Sequence, residues 1–303
     1  MTKALAIGLT VVICLAVAQI STFGQDAKPL KVVSEETATG FKFPETVVYD
    51  PSAKALYVSQ FVSELKPTQK DGKGKISKIS LSGQVIEDQF LPAAGQTIDK
   101  PKGMWVEGNH LWVSDIDSVW IFDLKTKKGK KVALPGAKFA NDVAVMGKAV
   151  YISDNQGDQL FKVEPADFLE TAEPKATMIM SGKSVNPNGI YPSHDGSLLM
   201  VGFAAPDQPR GIYSIGANGG EVKTLAKDIG RLDGLYEMDD KTLLVTDWIT
   251  GSLFHWSPKG GMQTLAKDFK GPADFCVVPE GNGFLVVVPD LVKSELRMIK
   301  LSR

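Results

Sequence analysis

The sequence predicts an all-β protein: a six-bladed β-propeller of four-stranded blades, with the ring closed by an N-terminal strand that pairs with the C-terminal blade. Three observations predict it. First, one unit recurs six times: a polar or glycine-containing corner, a short apolar strand, a turn, and a second strand ending in a small or acidic residue. The copies are PETVVYD…LYVSQ (44–60), PKGMWVEGNHLWVSD (101–115), ANDVAVMGKAVYISD (140–154), PNGIYPSHDGSLLMVG (187–202), LDGLYEMDDKTLLVTD (232–247) and PADFCVVPEGNGFLVVVP (272–289). Second, the corners Gly103, Asp142, Gly189, Gly234 and Asp274 follow one another at 39, 47, 45 and 40 residues, the period of a propeller blade. Third, the last unit has only three strands, whereas Leu30-Lys31-Val32-Val33-Ser34 near the other end resembles the outer strands 220–226 and 261–266. Pairing it with Leu296–Leu301 would close the ring and remove an open edge.

Within blade 2 the pattern predicts strands Met104–Glu107, Leu111–Ser114, Val119–Leu124 and Lys131–Leu134, separated by glycine and charged turns. Blade 5 repeats this as Leu235–Met238, Thr242–Thr246, Ser252–Trp256 and Met262–Ala266. Two insertions interrupt the repeat. Residues 61–74 are rich in polar, Gly and Pro residues, and in 164–174 the run Pro165-Ala166-Asp167-Phe168-Leu169 could begin a short helical turn.

The 303 residues carry 43% hydrophobic and 23% charged side chains with a formal net charge of −1, ordinary values for a globular domain. Closed β architectures of this length form one domain. No basic face is present, which argues against a nucleic-acid partner; the lysines 125, 127, 128, 130 and 131 fall at a hairpin and read as a solvated turn. Residues 1–24 read as a secretory signal, with Lys3 ahead of an apolar run from Ala4 to Ile20 and an Ala16-Val17-Ala18 cleavage pattern. The expected mature domain, 25–303, would be periplasmic or secreted, without stable membrane association after cleavage. Cys14 lies in the signal, so Cys276 would be the lone mature cysteine, in an apolar strand and with no His placed to activate it.

A propeller projects the start of strand one and the end of strand two of every blade toward one end of its axis. That places Glu45, Asn141, Asp142, Asn188, Asp233 and Asp274 at strand-one starts, and Asp115, Asp117, Asp154, Asn155, Asp247 and Trp248 after strand-two ends. Converging carboxylates and carboxamides suit one hard divalent cation, Ca²⁺ first, with Mg, Mn or Zn as alternatives. Asn and Asp at such corners also form Asx-turns; Glu45 is a poor turn residue, so Glu45, Asn188 and Asp233 are the candidate ligands, and Asp142 and Asp274 are read as corner braces. His110, His194 and His255 fall away from the axial face, and no Ser-His-Asp arrangement can be assembled.

Glu45-Thr46-Val47-Val48-Tyr49-Asp50, Asn141-Asp142, Pro187-Asn188-Gly189 and Leu232-Asp233-Gly234, in this order and at blade spacing, resemble the motifs of the regucalcin, gluconolactonase and luciferin-regenerating-enzyme family. The resemblance spans about residues 30–301. It implies a six-bladed propeller with one divalent metal in the channel and lactone hydrolysis. It carries the metal-ligand role onto Glu45, Asn188 and Asp233, an auxiliary-ligand or substrate-facing role onto Asn141, and the catalytic base onto Asp233. The Arg that sugar lactonases place two residues before the N-D asparagine is Phe139 here, and Thr46-Val47 replace the first-blade Gly-Pro. Phe139, Met104 and Trp248 therefore suggest a less polar substrate pocket. The resulting expectation is an exported metal-dependent hydrolase of a lactone or related ester acting on a small molecule. The alternative is a non-enzymatic propeller that binds a ligand or a protein.

Overall fold

A computed structural model describes residues 29–303. The signal segment 1–24, with Cys14 and the cleavage pattern, lies outside the described residues. Six sheets of four antiparallel strands form the blades. Blade 1 contains β2 (Pro44–Asp50), β3 (Ala55–Gln60), β4 (Lys75–Ile79) and β5 (Val85–Leu91). Blade 2 contains β6 (Pro101–Glu107), β7 (His110–Asp115), β8 (Ser118–Asp123) and β9 (Gly129–Ala133). Blade 3 contains β10 (Ala140–Met146), β11 (Ala149–Asp154), β12 (Gln159–Glu164) and β13 (Lys175–Ser181), and blade 4 β14 (Pro187–Pro192), β15 (Ser197–Gly202), β16 (Arg210–Gly216) and β17 (Lys223–Gly230). Blade 5 contains β18 (Leu232–Glu237), β19 (Leu243–Asp247), β20 (Ser252–Ser257) and β21 (Gly261–Ala266). Blade 6 joins β22 (Cys276–Glu280), β23 (Gly283–Asp290) and β24 (Glu295–Ser302) to β1 (Lys31–Ala38).

The closing strand runs four residues beyond the expected Ser34, pairing from Lys31 with Ser302 to Ala38 with Leu296 across a bulge at Val32–Ser34. Its side chains are mostly exposed, so its alternation gave little signal. Arg297 adds an ion pair to Glu35, and Gln263 donates a hydrogen bond to the Leu30 carbonyl at 3.1 Å. No helix forms at 165–169. Pro165 lacks a donor, Phe168 is fully buried among blade 2 and blade 3 side chains, and the Ala166 carbonyl accepts the Trp112 indole N–H at 2.8 Å; these anchors hold the segment as an irregular flap. No helix among the described residues is long and apolar enough to cross a membrane.

Between consecutive blades lies an apolar cluster. Trp112, Val119 and Ile121 of blade 2 meet Val143, Val150 and Ile152 of blade 3, and Val47, Leu56 and Val58 of blade 1 meet Val278, Leu285 and Val287 of blade 6. Nearer the axis a polar device repeats. Ser59 Oγ accepts the Thr46 N–H of its own blade (2.9 Å) and donates to the Lys102 carbonyl of the next (2.9 Å). Ser153 does the same between the Asp142 N–H (2.8 Å) and the Asn188 carbonyl (2.5 Å). Thr246 links the Gly234 N–H (2.8 Å) to the Ala273 carbonyl (3.1 Å), and Ser114 donates to the Asn141 carbonyl. Blades 4 and 6 have Val201 and Pro289 at this place and lack the link.

In five blades the residue that ends or closes strand two, one past the hydroxyl or its equivalent, has a second duty. Asp115 accepts the N–H groups of Asp99 and Lys100, Asp154 those of Lys138 and Phe139, and Asp290 those of Lys270 and Gly271. Asp247 accepts from Arg231 and Gln60 from Lys42. The acids that end strand two thus fix the loops entering the same blades. Corners also approach closely: a Cβ on Gly103 would lie 2.3 Å from Asp142 Oδ1, and one on Gly234 2.5 Å from Asp274 Oδ1, so neither position admits a side chain.

Two outcomes are expected. Removing the chain through Ala38 exposes the edge of β24, so the truncated protein should melt at lower temperature and run as aggregates in size-exclusion chromatography. Unchanged melting would mean that β1 is dispensable for closure. Ser153→Ala leaves the Asp142 N–H and the Asn188 carbonyl without their partner, and should cost about 1–3 kcal/mol in urea unfolding.

Candidate functional site

The hydroxyl links identify equivalent positions. Lys102, Asn141, Asn188 and Ala273 are the residues whose carbonyls receive them, and Glu45 and Asp233 hold the same place in blades 1 and 5. Each follows the first residue of strand one or the equivalent position, where the chain turns into the channel. Glu45, Asn141, Asn188 and Asp233 line one cavity of about 600 Å³, together with Phe139 and Trp248. Phe61, Leu65 and Pro67 of the blade 1 insertion form part of its wall, and Asn155, Asn186, Phe203 and Arg231 complete much of the rest. Six of the seven residues expected at the site therefore meet.

Met104 does not join them. It lies in a separate cavity of about 190 Å³ with Trp105, Tyr191, Tyr236 and Cys276, and packs into the core between blades 1 and 2. Strand one advances about 3.3 Å per residue down the channel, so two residues past Lys102 is already too deep. Asp142 and Asp274, one residue past the ring, also line this second cavity. Their bracing role is visible: Asp142 accepts the N–H groups of Val143 and Ile190, both at 2.7 Å, and Asp274 lies against Gly234. Asp115, Asp154 and Asp247 hold loop backbone, as described above. None of the three histidines lines the larger cavity; His255 is buried against Thr242, Nε2 to Oγ1 2.7 Å. Burial pushes the Cys276 thiol far up, as suits an inert side chain.

The axis is buried and acidic. Desolvation raises Glu45 from 4.5 to about 7 against a hydrogen bond from Thr46 and the charge of Lys102. Asp274 rises from 3.8 to about 8, first by desolvation and then by the Glu45 charge. Desolvation also lifts Asp233 well above the carboxylate range, reinforced by Glu45 and Asp274 and opposed by the polar edges of Trp248 and Asn188. Asp142 is lifted by burial and by Asp274. A cation among these groups would favour their charged forms.

Unpartnered polar atoms mark the same place. Among the described residues eight buried side-chain N or O atoms lack a hydrogen-bond partner; four of them, Asn188 Oδ1, Asp233 Oδ1, Trp248 Nε1 and Arg231 Nε, belong to residues lining the larger cavity. Buried groups in folded proteins are almost always satisfied, and a polar group in the cavity, water included, would complete these four. Two oxygens of different blades, with the Glu45 carboxylate on the same wall, fit a hard cation with oxygen ligands. No group of three or more His, Cys, Asp or Glu among the described residues could hold a metal alone, so any such site depends on the asparagines.

Two residues of the site were missed in the sequence. Lys102 occupies the blade 2 corner of the ring, fully buried. Its Nζ donates to the Lys100 carbonyl at 3.2 Å and sits 4.5 Å over the Phe139 ring; burial lowers it to about 8, with Asp115 and Glu45 pulling back. Aligning PKG with PNG and LDG would have found it. Arg231 stands two residues before Asp233, the same offset as Phe139 from Asn141. Beside the ring, fully buried Lys100 reaches Asp71 and Ser63, both at 2.8 Å, and so ties down the blade 1 insertion that walls the cavity.

No protein-family model matches the sequence, and no curated protein matches it. Solved structures share the fold. A candidate gluconolactonase is 18% identical with a TM-score of 0.64, over 90% of this chain and 94% of that one. A streptogramin B lyase is 14% identical with a TM-score of 0.60, over 89% and 98%. A catalytically inactive virginiamycin B lyase from Staphylococcus aureus, solved with quinupristin, is 13% identical with a TM-score of 0.57, over 91% and 100%. The chain therefore shares its propeller architecture with these proteins.

The raised carboxyls make a signed prediction. Glu45 and Asp274 keep in the folded state a proton that the unfolded chain releases, so their contribution is fully present below about pH 4 and is lost as pH rises toward 7–8. Chelator-treated protein should melt progressively lower from about pH 5 to about pH 8, and Asp274→Asn should flatten that slope. A flat profile in the unsubstituted protein would show that these groups are not buried as described.

Proposed function

We propose that the protein is an exported, divalent-cation-dependent hydrolase of a lactone or related ester. The observation that carries this reading is the pair of unpartnered buried oxygens, Asn188 Oδ1 and Asp233 Oδ1, on the wall of a cavity large enough for a small substrate and shared with Glu45. Glu45, Asn188 and Asp233 would hold the cation, with Asn141 as fourth ligand or neighbour; the all-oxygen set favours Ca²⁺. When bound, the cation supplies Lewis-acid polarisation of the scissile carbonyl.

The chain's own groups supply the rest. Asp233, in its charged form, takes a proton from the attacking water as the water oxygen bonds to the carbonyl carbon. The carbonyl carbon–oxygen single bond then breaks, and the same proton passes to the departing alkoxide. Phe61, Phe139, Leu65 and Trp248 keep bulk water from the reacting atoms and give the substrate body an apolar bed. Export rests on the signal-like residues 1–24.

One observation favours a second reading, a ligand-binding propeller without turnover. Lys102 already places an ammonium in the corner ring and offsets the Glu45 charge.

Elemental analysis of the purified protein, calorimetric titration with Ca²⁺, Mg²⁺, Mn²⁺ and Zn²⁺, and a pH-stat screen of lactones and aryl esters test the proposal. One equivalent of cation should bind, and chelation should stop turnover. Asp233→Asn should lower kcat by at least about 10²-fold and weaken the cation more than Asn141→Ala does, because it removes a formal charge. Turnover surviving both Glu45→Gln and Asp233→Asn would sink the hydrolase reading. Ligand binding with neither cation nor turnover would establish the second one.

A further inference from the structure

The guanidinium of Arg231 is the one strong cationic donor lining the larger cavity among the described residues, and it is held in an unusual way. No ion pair or side-chain hydrogen bond engages it; Asp233, two residues on, is not within salt-bridge reach. Instead its central carbon lies over the Phe203 ring, 4.0 Å from the centroid, and 5.9 Å from that of Trp248. These two rings meet edge to face at 5.6 Å, so the platform is itself fixed. The backbone is clamped at both ends: the Arg231 N–H donates to Asp247 at 2.8 Å, and the Arg231 carbonyl accepts the Trp248 N–H at 3.0 Å.

Other cations of this region are engaged or covered. Lys100 is taken by Asp71, and Arg210 donates to Asn186 at 2.9 and 3.1 Å; Lys102 is sealed beneath Phe61 and Phe139. Arg231 therefore combines three properties: an aromatic seat on Phe203 and Trp248, a buried Nε without a partner, and a place on the cavity wall. A guanidinium is always charged and offers a planar fork matched to a carboxylate. A buried donor without a partner is costly, and a bound carboxylate would relieve that cost.

We propose that Arg231 is the specificity-determining residue of this cavity and that it selects ligands carrying a free carboxylate on an apolar or aromatic body. The carboxylate meets the guanidinium fork at the Phe203–Trp248 wall. The body lies toward Phe61, Leu65 and Phe139. This rests on the cavity being the substrate pocket; for the hydrolysis proposed above, it means a lactone or ester that bears an acid group remote from the scissile carbonyl.

Phenylacetate and its neutral counterpart phenylacetamide are the probes, titrated calorimetrically into the unsubstituted protein, Arg231→Gln and Arg231→Lys, each with and without chelator. The unsubstituted protein should prefer phenylacetate by at least about tenfold, as expected of a hydrogen-bonded charged pair. Arg231→Gln should abolish that preference by weakening phenylacetate at least about tenfold more than phenylacetamide, and Arg231→Lys should retain part of it. Should the Gln variant fail to fold, the Lys variant still reads the loss of the planar fork. Equal binding of the two probes to the unsubstituted protein would overturn the proposal. So would a preference that survives Arg231→Gln and disappears on chelation, because the acid would then sit on the cation. An Arg231-dependent preference in a protein that turns over no lactone would uphold this inference while refuting the hydrolase reading.

Discussion

A hydroxyl that accepts an N–H from its own blade and donates to a carbonyl of the next is the interaction on which the centre of this molecule depends. Ser59, Ser153 and Thr246 each make both bonds, and Ser114 makes the second. At the corners strand one has left its ladder partner, and backbone groups buried there must be satisfied some other way. The hydroxyl solves this for two blades at once and sets the distance between them. Gly103 and Gly234 are consequences, since the neighbouring corner is then too close for a Cβ. So is the direction of the next side chain: once its carbonyl is held, residue 102, 141 or 188 must face the axis.

That geometry buries charge at the axis. Glu45 and Asp233 face the larger cavity and Asp142 and Asp274 the smaller one, with Lys102 as the buried counter-charge in the ring. Burying like charges together is unfavourable unless protons or a cation offset them. The unpartnered oxygens of Asn188 and Asp233 point to a cation as one answer, and Lys102 is a partial answer written into the chain. The two ends of the channel differ for the same reason. The end bearing the corners has the larger cavity and four of the unpartnered polar atoms, whereas the end beyond Asp142 and Asp274 is lined with Met104, Tyr191, Tyr236 and Phe275 and has one, Trp105 Nε1.

The blades were legible because strand pairs with corners at regular spacing leave a pattern of small, acidic and apolar residues that local composition alone displays. Glu45, Asn141, Asn188 and Asp233 were legible for the same reason, as was the closing strand by the outer strand missing at the other end. Met104 was misplaced because a strand moves a side chain several ångströms deeper with each pair of residues, and the motif does not state where the cavity floor lies. The acids Asp115, Asp154 and Asp247 looked chemical and are structural: a carboxylate that receives two loop N–H groups has the same letter as one that receives a substrate. Arg231 and Lys102 were missed for a related reason. Lys102 shares its corner position with Asn188 and Asp233 but carries the opposite charge to the acids there, and the importance of Arg231 lies in a lack of hydrogen-bond partners that exists only in three dimensions. The region 165–169 shows the opposite case, a helix-like start overridden by the burial of Phe168 and the Trp112 bond to Ala166.

The pairing of β1 with β24 joins the two segments farthest apart in the described chain. Contacts between distant segments form late and slowly, because the loop between them must first be ordered. During synthesis, blades 1 to 5 can each assemble from contiguous strands as they emerge, but blade 6 has only its outer strand, β1, until the last residues are made. A ribosome-bound chain would thus carry five finished blades and a free strand at its leading end. If that end is the first to cross a membrane, the strand stays unpaired through the whole passage, and the ring shuts only on the far side.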